Sequence, residues 1–421
     1  MVTTEHKESF DITVVGGGMV GLAQALLLAH QLPNTRIAVI ENFALNVDTP
    51  LQPSFDGRAT ALSASSVELL ELLAVWPSLQ HYAQAIRHVH VSDRGHVGKA
   101  EYSDAENGDM PLGYVVDNTA FGQQLLNACA KNVSITTFAP AQVTSVVPVA
   151  TGMRVDVVTA DTQCVISSSL VVIADGVDSA LRHKLGVGTR VHDYQQVAVI
   201  ANVAFSEPHC GSAFERFTDE GPLAVLPMLN AENKRQTSNR TAVVWTRPKA
   251  ALDETLAWSD GEFLAQLQRR FGYRLGACLR VGERNFYELK MVFACEQVRR
   301  GIVFMGNAAH FLHPVAGQGF NLAVRDCAQL SAVLAEANER GEALGSLPVL
   351  QRYLEAQQTD QAITSQLSHN FIRVFASSHP AVQLGRNMGL LSMALFGGLK
   401  QQLFGQMMGK ALPRAALKRP Q

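Results

Sequence analysis

Apolar and polar positions set two rhythms along this chain, one of short β-like runs and one of longer helical stretches. Residues 11–15 (DITVV) form a β-branched apolar run that ends in the glycine cluster GGGMVG (16–21). The Ala/Leu stretch 22–32 (LAQALLLAHQL) is long enough for a helix, and 36–41 (RIAVIE) is a second strand-like run. Strand, helix and strand in close succession predict the opening of a doubly wound sheet. A helix follows over 63–76, a hairpin at 86–92 and 97–102 turning on Asp93-Arg94-Gly95, and a helix near 118–131. Strands near 134–137, 141–147, 153–159 and 165–173 come next.

From about residue 186 the pattern changes. The runs QVAVIANVAF (196–205), AFERFT (213–218), PLAVLPM (222–228) and TAVVWT (241–246) are strand-like, interrupted by one helical segment, 261–272. The run GIVFM (301–305) returns to the first pattern and feeds a helix from about Asn321. The expectation is an α/β protein: a doubly wound, Rossmann-like nucleotide-binding domain with an inserted, mainly antiparallel β substrate domain and C-terminal helices. The boundaries expected are 1–185 for the first part (with a hairpin excursion near 86–102), 186–290 for the insertion, 291–350 for the return, and 351–421 for the helical region.

Composition narrows the class. Hydrophobic residues make up 47% and charged residues 17%, a globular balance rather than that of a disordered chain. A formal net charge of −2 gives no field that would attract nucleic acid. The six cysteines are scattered with no C-x-x-C pair, so neither a metal set nor a redox dithiol is expected, and a reducing, cytoplasmic setting suits them. Residues 1–10 are polar and unlike a signal peptide, and no apolar run reaches the ~20 residues needed to cross a bilayer.

The chemistry-bearing motifs sit where strands end. Gly16, Gly18 and Gly21 satisfy G-x-G-x-x-G between a strand and a helix. The first glycine allows the tight turn, the second lets backbone approach a pyrophosphate, and the third lets helix and strand pack closely. Glu41 ends the second strand 20 residues past Gly21, placed to accept hydrogen bonds from an adenosine ribose. These features predict a dinucleotide site without separating NAD from FAD. A second strand end carries Asp175-Gly176, and a third carries GNAAHFLHPVAGQGFN (306–321). In the latter, Gly317 and Gly319 strip side chains from a loop just before a helix. A flat ring could lie there, with the helix N-terminus offering partial positive charge to a reduced flavin.

Together, GGGMVG with Glu41, DGRATALS (56–63), ADGVDSALR (174–182) and GNAAHFLHPVAGQGFN make the chain resemble the class A FAD-dependent aromatic monooxygenases, the para-hydroxybenzoate hydroxylase-like family. The segments VHVSDRGHVG (89–98) and AFERFTDEGPLAVLPM (213–228) are similar to the branch that hydroxylates polyprenyl-methoxyphenols in ubiquinone biosynthesis. The resemblance covers nearly the whole chain. It implies FAD as cofactor, NAD(P)H as transient reductant, and O2 delivered to a lipophilic polyprenylated phenol through a flavin C4a-hydroperoxide. It further implies that Gly16, Gly18, Gly21 and Glu41 hold the ADP half of FAD, and that Arg58 and Asp175 approach the pyrophosphate. Asn307 would contact the ribityl chain, and Gly317, Gln318, Gly319 and Asn321 would line the flavin ring. Pro314, Arg216 and Pro227 would face the substrate. Asn307 stands where most of the wider family has Asp; the ubiquinone branch resembles this chain at that position. No catalytic base is assigned; His313 is the candidate, with a bracing role set against it.

After Asp360 there is no acidic residue, and seven basic ones are interleaved with apolar ones such as Leu399, Phe404 and Met408. That pattern suits either a helix packed on the protein or peripheral contact with the inner face of the cell membrane, or with other ubiquinone-biosynthesis proteins. Alternatives within the same fold are a hydroxylase acting at another ring position and a prenyl-chain reductase. Outside enzymology, the alternative is a non-catalytic prenyl-binding carrier. A halogenase would show W-x-W-x-I-P, and Trp76, Trp245 and Trp258 stand in no such element.

Overall fold

A computed structural model describes residues 6–45, 53–96, 98–159, 162–230, 238–313, 317–376, 404–405, 408–409 and 415–418. The first strand, His6–Val15, lies at the centre of a mixed sheet. It pairs in parallel with Gln163–Ile173 on one side and Ile37–Ile40 on the other. Ile135–Phe138 extends the sheet beyond Ile37–Ile40, and Ile302–Phe304 extends it beyond Gln163–Ile173. These strands read as unbroken apolar runs because both faces are covered. Ile12 and Val14 pack with Leu22, Leu26, Phe121 and Leu125 under the helices Met19–Gln31 and Asn118–Ala130. Val15 and Ile40 pack on the opposite face with Val155 and Ile166 of the antiparallel meander Ala141–Val149, Gly152–Thr159 and Gln163–Ile173.

The helix Gln318–Glu339 lies against the glycine-rich helix, where Gln24 Nε2 donates to Ser331 Oγ at 2.9 Å. This docking brings the late segment of the chain back onto its beginning. A three-stranded sheet (Ala59–Ser63, Gly113–Asp117, Ala83–Ile86) fills the space beside it. No helix among the described residues is long and apolar enough to cross a membrane.

The second large sheet has eight strands among the described residues. Its centre is Cys278–Ala294, Thr189–Phe205, Arg240–Pro248, Gly221–Pro227 and Ser212–Thr218, each antiparallel to the next. The hairpin His88–Asp93 with Lys99–Ser103 forms where its alternation indicates. It joins this sheet by a parallel pairing with Ser212–Thr218. At the far edge His310–Phe311, from the glycine-rich return segment, pairs with Cys278–Ala294. One face of the sheet is sealed by Asp260–Phe271, whose Phe263, Leu267 and Phe271 pack with Trp245 and Val243. The helix begins at a capping box, with Ser259 and Glu262 each bonding the other's backbone N–H. The other face stays open toward the first domain. The expected class, a doubly wound nucleotide-binding unit with an antiparallel sheet and helices toward the C-terminus, is the observed one.

Candidate active site

The glycine turn is built for a phosphate. Gly16 has φ +108°, and a Cβ there would lie 2.4 Å from the Ala174 carbonyl oxygen. A Cβ on Gly21 would lie 1.8 Å from the Gly16 carbonyl oxygen. Only glycine allows this close packing. The helix that follows has no side-chain cap at Gly18 and no acidic residue in its first turn, so its N-terminal N–H groups are left for an anion. Glu41 is buried at the end of Ile37–Ile40. Its carboxylate accepts from the Gly17 N–H at 2.5 Å and from the Phe43 N–H at 2.9 Å, which fixes it beside the turn.

The later motifs meet this turn. Gly16 packs against Ala174 and Asp175, and a Cβ on Gly306 would come within 2.9 Å of Val20. Asp175 Oδ1 is buried without a hydrogen-bond partner among the described residues. Burial raises the Asp175 carboxyl above its ordinary range, against the lowering effect of a bond from Ser179. A buried acceptor without a partner calls for a ligand donor. Asn307 is exposed to the same space. The helix Gln318–Glu339 begins at Gly317 in the left-handed region (φ +61°), again with no side-chain cap and no acid in its first turn. Two uncapped helix N-termini therefore point into one cavity.

That cavity has a volume of about 870 Å³. It is bordered by Gly16, Gly18, Glu41, Arg58, Asp175 and Asn307, and by Gly317, Gln318, Gly319 and Asn321. Gly21 sits just behind it as a packing residue. Arg58 is held by Asp56 at 2.6 Å, with its guanidinium 4.7 Å over the Tyr287 ring. Asn321 has a role that spacing could not show. Its Oδ1 accepts from the Ser63 N–H and Ser66 Oγ, and its Nδ2 donates to the Ala61 and Gly317 carbonyls. It fastens the Arg58 segment to the glycine loop. The residues present fit FAD: glycine cradles for the pyrophosphate, a ribose acceptor in Glu41, and a shelf at 317–319 on which Gly317 and Gly319 carry no side chain.

Beyond the shelf the same cavity runs over the open face of the eight-stranded sheet, where Val89, Ala213, Leu226, Ala242 and Val244 line it. Phe404 and Met408 close its far wall, with Phe404 stacked on Tyr102 at 4.5 Å. These two described residues of the apolar, basic C-terminal stretch thus turn into the protein. Most of the remainder, 377–403, lies outside the described residues.

The residues expected to face substrate divide. Pro314 lies outside the described residues. Pro227 is buried but does not border the cavity, unlike Ala224 and Leu226 on the same strand. Arg216 points to the opposite face, where its Nε donates to the Arg270 carbonyl at 2.8 Å. Ala213, Glu215 and Phe217 border the cavity in one strand phase and Arg216 is out of phase with them; its phase-mate Phe214 also reaches the cavity, but Arg216 is held on the other face by its bond to Arg270. Glu215 is therefore a carboxylate in the chamber that sequence reasoning missed. The period-2 pattern of AFERFT could have found it.

His313 is 1% exposed, and neither ring nitrogen has a partner among the described residues. Burial pushes its pKa down to about 3, so the ring is neutral at working pH. It does not border the cavity, and its ring packs edge-on against Tyr194 at 5.2 Å. Close by, His310 Nε2 is hydrogen-bonded to the fully buried Asp326, stapling the start of the glycine loop to the helix after it.

Comparison with known proteins agrees with this geometry. The family described as FAD binding domain matches residues 9–359. The ubiquinone hydroxylase UbiL of Rhodospirillum rubrum is 32% identical, over 97% of this chain and 91% of its own. The 3-demethoxyubiquinol 3-hydroxylase of Escherichia coli is 32% identical over 95% of this chain and 98% of its own. Among solved structures, p-nitrophenol 4-monooxygenase PnpA of Pseudomonas putida shares the fold. Its TM-score is 0.76 at 18% identity, covering 97% of this chain and all of that one.

Proposed function

This chain belongs to the class A FAD-dependent aromatic monooxygenases, and from that premise we propose that it hydroxylates the ring of a polyprenyl-methoxyphenol on the route to ubiquinone. One observation carries the substrate class. The cavity that begins at the nucleotide motifs continues without a wall into a chamber lined, apart from Glu215, by aliphatic and aromatic side chains. A charged or sugar-like substrate would be poorly matched there, whereas an isoprenoid tail gains about 0.8 kcal/mol for each methylene it buries.

When bound, FAD supplies the activation of O2, taking its electrons from NAD(P)H. The protein's part is binding, orientation and exclusion of water. The uncapped N-terminus at Gly18 would hold the pyrophosphate, and Glu41 the ribose hydroxyls. Asp175 Oδ1 would accept from a hydroxyl of the nucleotide. Asn307 would bond the ribityl chain, offering donors as well as an acceptor where a carboxylate could only accept. The N-terminus at Gly317 would favour negative charge on the reduced ring. The apolar chamber places the phenol and keeps water from the reacting atoms.

The reaction is tested with purified protein. It should be yellow, and NADH or NADPH oxidation should consume O2 in step with a hydroxylated product. Reductant use without oxygen uptake would indicate a prenyl-chain reductase, and a colourless protein would indicate a carrier. We further infer that the enzyme meets its lipid-borne substrate from the cytoplasmic side of the membrane through the basic stretch after Asp360. Deleting residues 411–421 should weaken co-sedimentation with anionic liposomes; unchanged binding would end that idea.

A further inference from the structure

Across the open face of the eight-stranded sheet the strand registers line up one row of residues. Ala100, Val91, Glu215, Ala224, Val244 and Ile200 stand side by side on six adjacent strands. All six border the cavity. Five are aliphatic, and the third is a carboxylate. The other charged residues that border the cavity among those described are Glu41, Arg58, Asp175 and Asp178, and all four belong to the nucleotide half. Among the described residues, Glu215 is the one ionisable side chain on the floor of the apolar chamber.

Its carboxyl makes no hydrogen bond or ion pair with a described residue. Its neighbours in register, Val91 and Ala224, can offer none from their side chains. Burial alone lifts its pKa to about 7, with no charged neighbour acting on it. A lone carboxyl in apolar surroundings weakens the fold, so such an arrangement points to use. A group titrating near neutrality accepts and returns a proton most effectively.

Resting on the hydroxylase reading above, we propose that Glu215 is the catalytic residue that binds the substrate's phenolic hydroxyl and takes its proton. The phenol O–H is the one donor on a molecule that otherwise carries hydrocarbon and ether oxygens. A carboxylate pairs with that hydroxyl and repels a methoxy oxygen, which sets the ring's rotation in the chamber. In the step itself the phenol O–H bond breaks and the proton passes to Glu215, leaving its electron pair on the phenol oxygen and conjugated into the ring. The enriched ring carbon takes up the oxygen atom that O2 and NAD(P)H supply. That carbon then loses its own proton, which leaves with the second oxygen atom of O2 in the water formed, so aromaticity is restored, and the proton on Glu215 returns to the phenolate oxygen.

The test uses the FAD-loaded full chain with Glu215→Gln, which keeps the shape and removes the proton acceptor, and Glu215→Asp, which keeps the acceptor. A short-chain prenyl methoxyphenol, its ring-fluorinated analogue with a more acidic hydroxyl, and its methyl ether serve as probes. The expected result for Glu215→Gln is a loss of product formation of about 100-fold or more. Oxygen use should be diverted to hydrogen peroxide, and the limb near neutrality should vanish from the pH profile of kcat/KM. The fluorinated phenol should restore much of the rate, the methyl ether should bind as before, and Glu215→Asp should retain the pH limb. Product formation by Glu215→Gln with an unchanged pH profile would overturn the proposal. An equal loss with both phenols, together with lost binding of the methyl ether, would also overturn it by showing a purely structural role. Failure of the parent enzyme to make any hydroxylated product would instead refute the underlying reading.

Discussion

Replacing Gly21 by alanine puts a methyl carbon 1.8 Å from the Gly16 carbonyl oxygen, an atom of the backbone that cannot rotate away. Cβ contacts under 3.0 Å essentially never occur, so the turn must open by about 1 Å. A phosphate hydrogen bond near 2.9 Å does not survive that displacement. Losing two charge-assisted bonds, at ~1.5–3 kcal/mol each, raises the Kd for FAD by roughly 10²–10⁴-fold. The overpacking strain separately destabilises the apoprotein by ~1–3 kcal/mol.

Gly319→Ala is the informative control. Nothing lies within 4 Å of a Cβ built there, and the residue is helical, so the apoprotein should hold or gain up to ~1 kcal/mol. If the flavin ring lies on that shelf, the same methyl group costs FAD affinity. The assay is a titration of apoprotein with FAD by flavin fluorescence, paired with thermal melting. Normal FAD binding by Gly21→Ala at an unchanged melting temperature would refute the account of the turn. Undiminished binding by Gly319→Ala would refute the placement of the ring.

Asp326→Ala leaves His310 without its buried partner and should cost about 1–3 kcal/mol in urea unfolding, with weaker FAD binding as the loop loosens. Glu41→Ala removes the acceptor beside the turn and should raise the FAD Kd by about 10–100-fold in the same titration, leaving the sheet intact. The raised Glu215 carboxyl makes the folded chain hold a proton that the unfolded chain releases. Stability should therefore fall as pH rises from about 4.5 to about 7, by at most ~3 kcal/mol, and Glu215→Gln should abolish that slope in urea titrations across the range. Of the six thiols, the exposed Cys210 and Cys295 should react quickly with a disulfide reagent. Cys129 and Cys278, each pushed by burial up to about 12, should lag until the protein unfolds.

The nucleotide half was readable because its chemistry is local. A tight turn needs glycine at fixed offsets, and a buried parallel strand shows as an apolar run, so the strand, turn, helix and strand of 11–41 could be placed, although the first strand begins at His6 and the helix at Met19. The long strand Cys278–Ala294 escaped notice because CLRVGERNFYELKMVFA mixes charge along both faces and does not alternate. The three-stranded sheet escaped because its strands are four or five residues long and pair across distant segments. The resemblance alone put Arg216 toward the substrate. The register that turns it away is set by the neighbouring strands Gly221–Pro227 and His88–Asp93, which a local window does not contain. Asn321 was legible as a helix-start residue that the resemblance puts beside the ring, but its four bonds to the 61–66 segment and Gly317 depend on long-range docking.

The central claim is that one extended FAD bridges turns far apart in sequence. Amide hydrogen exchange of the apoprotein, with and without saturating FAD, tests it directly. The account predicts strong added protection in three separate segments, around 16–21, 175–178 and 317–321. Protection confined to the first segment, with exchange at 317–321 unaltered, would contradict it.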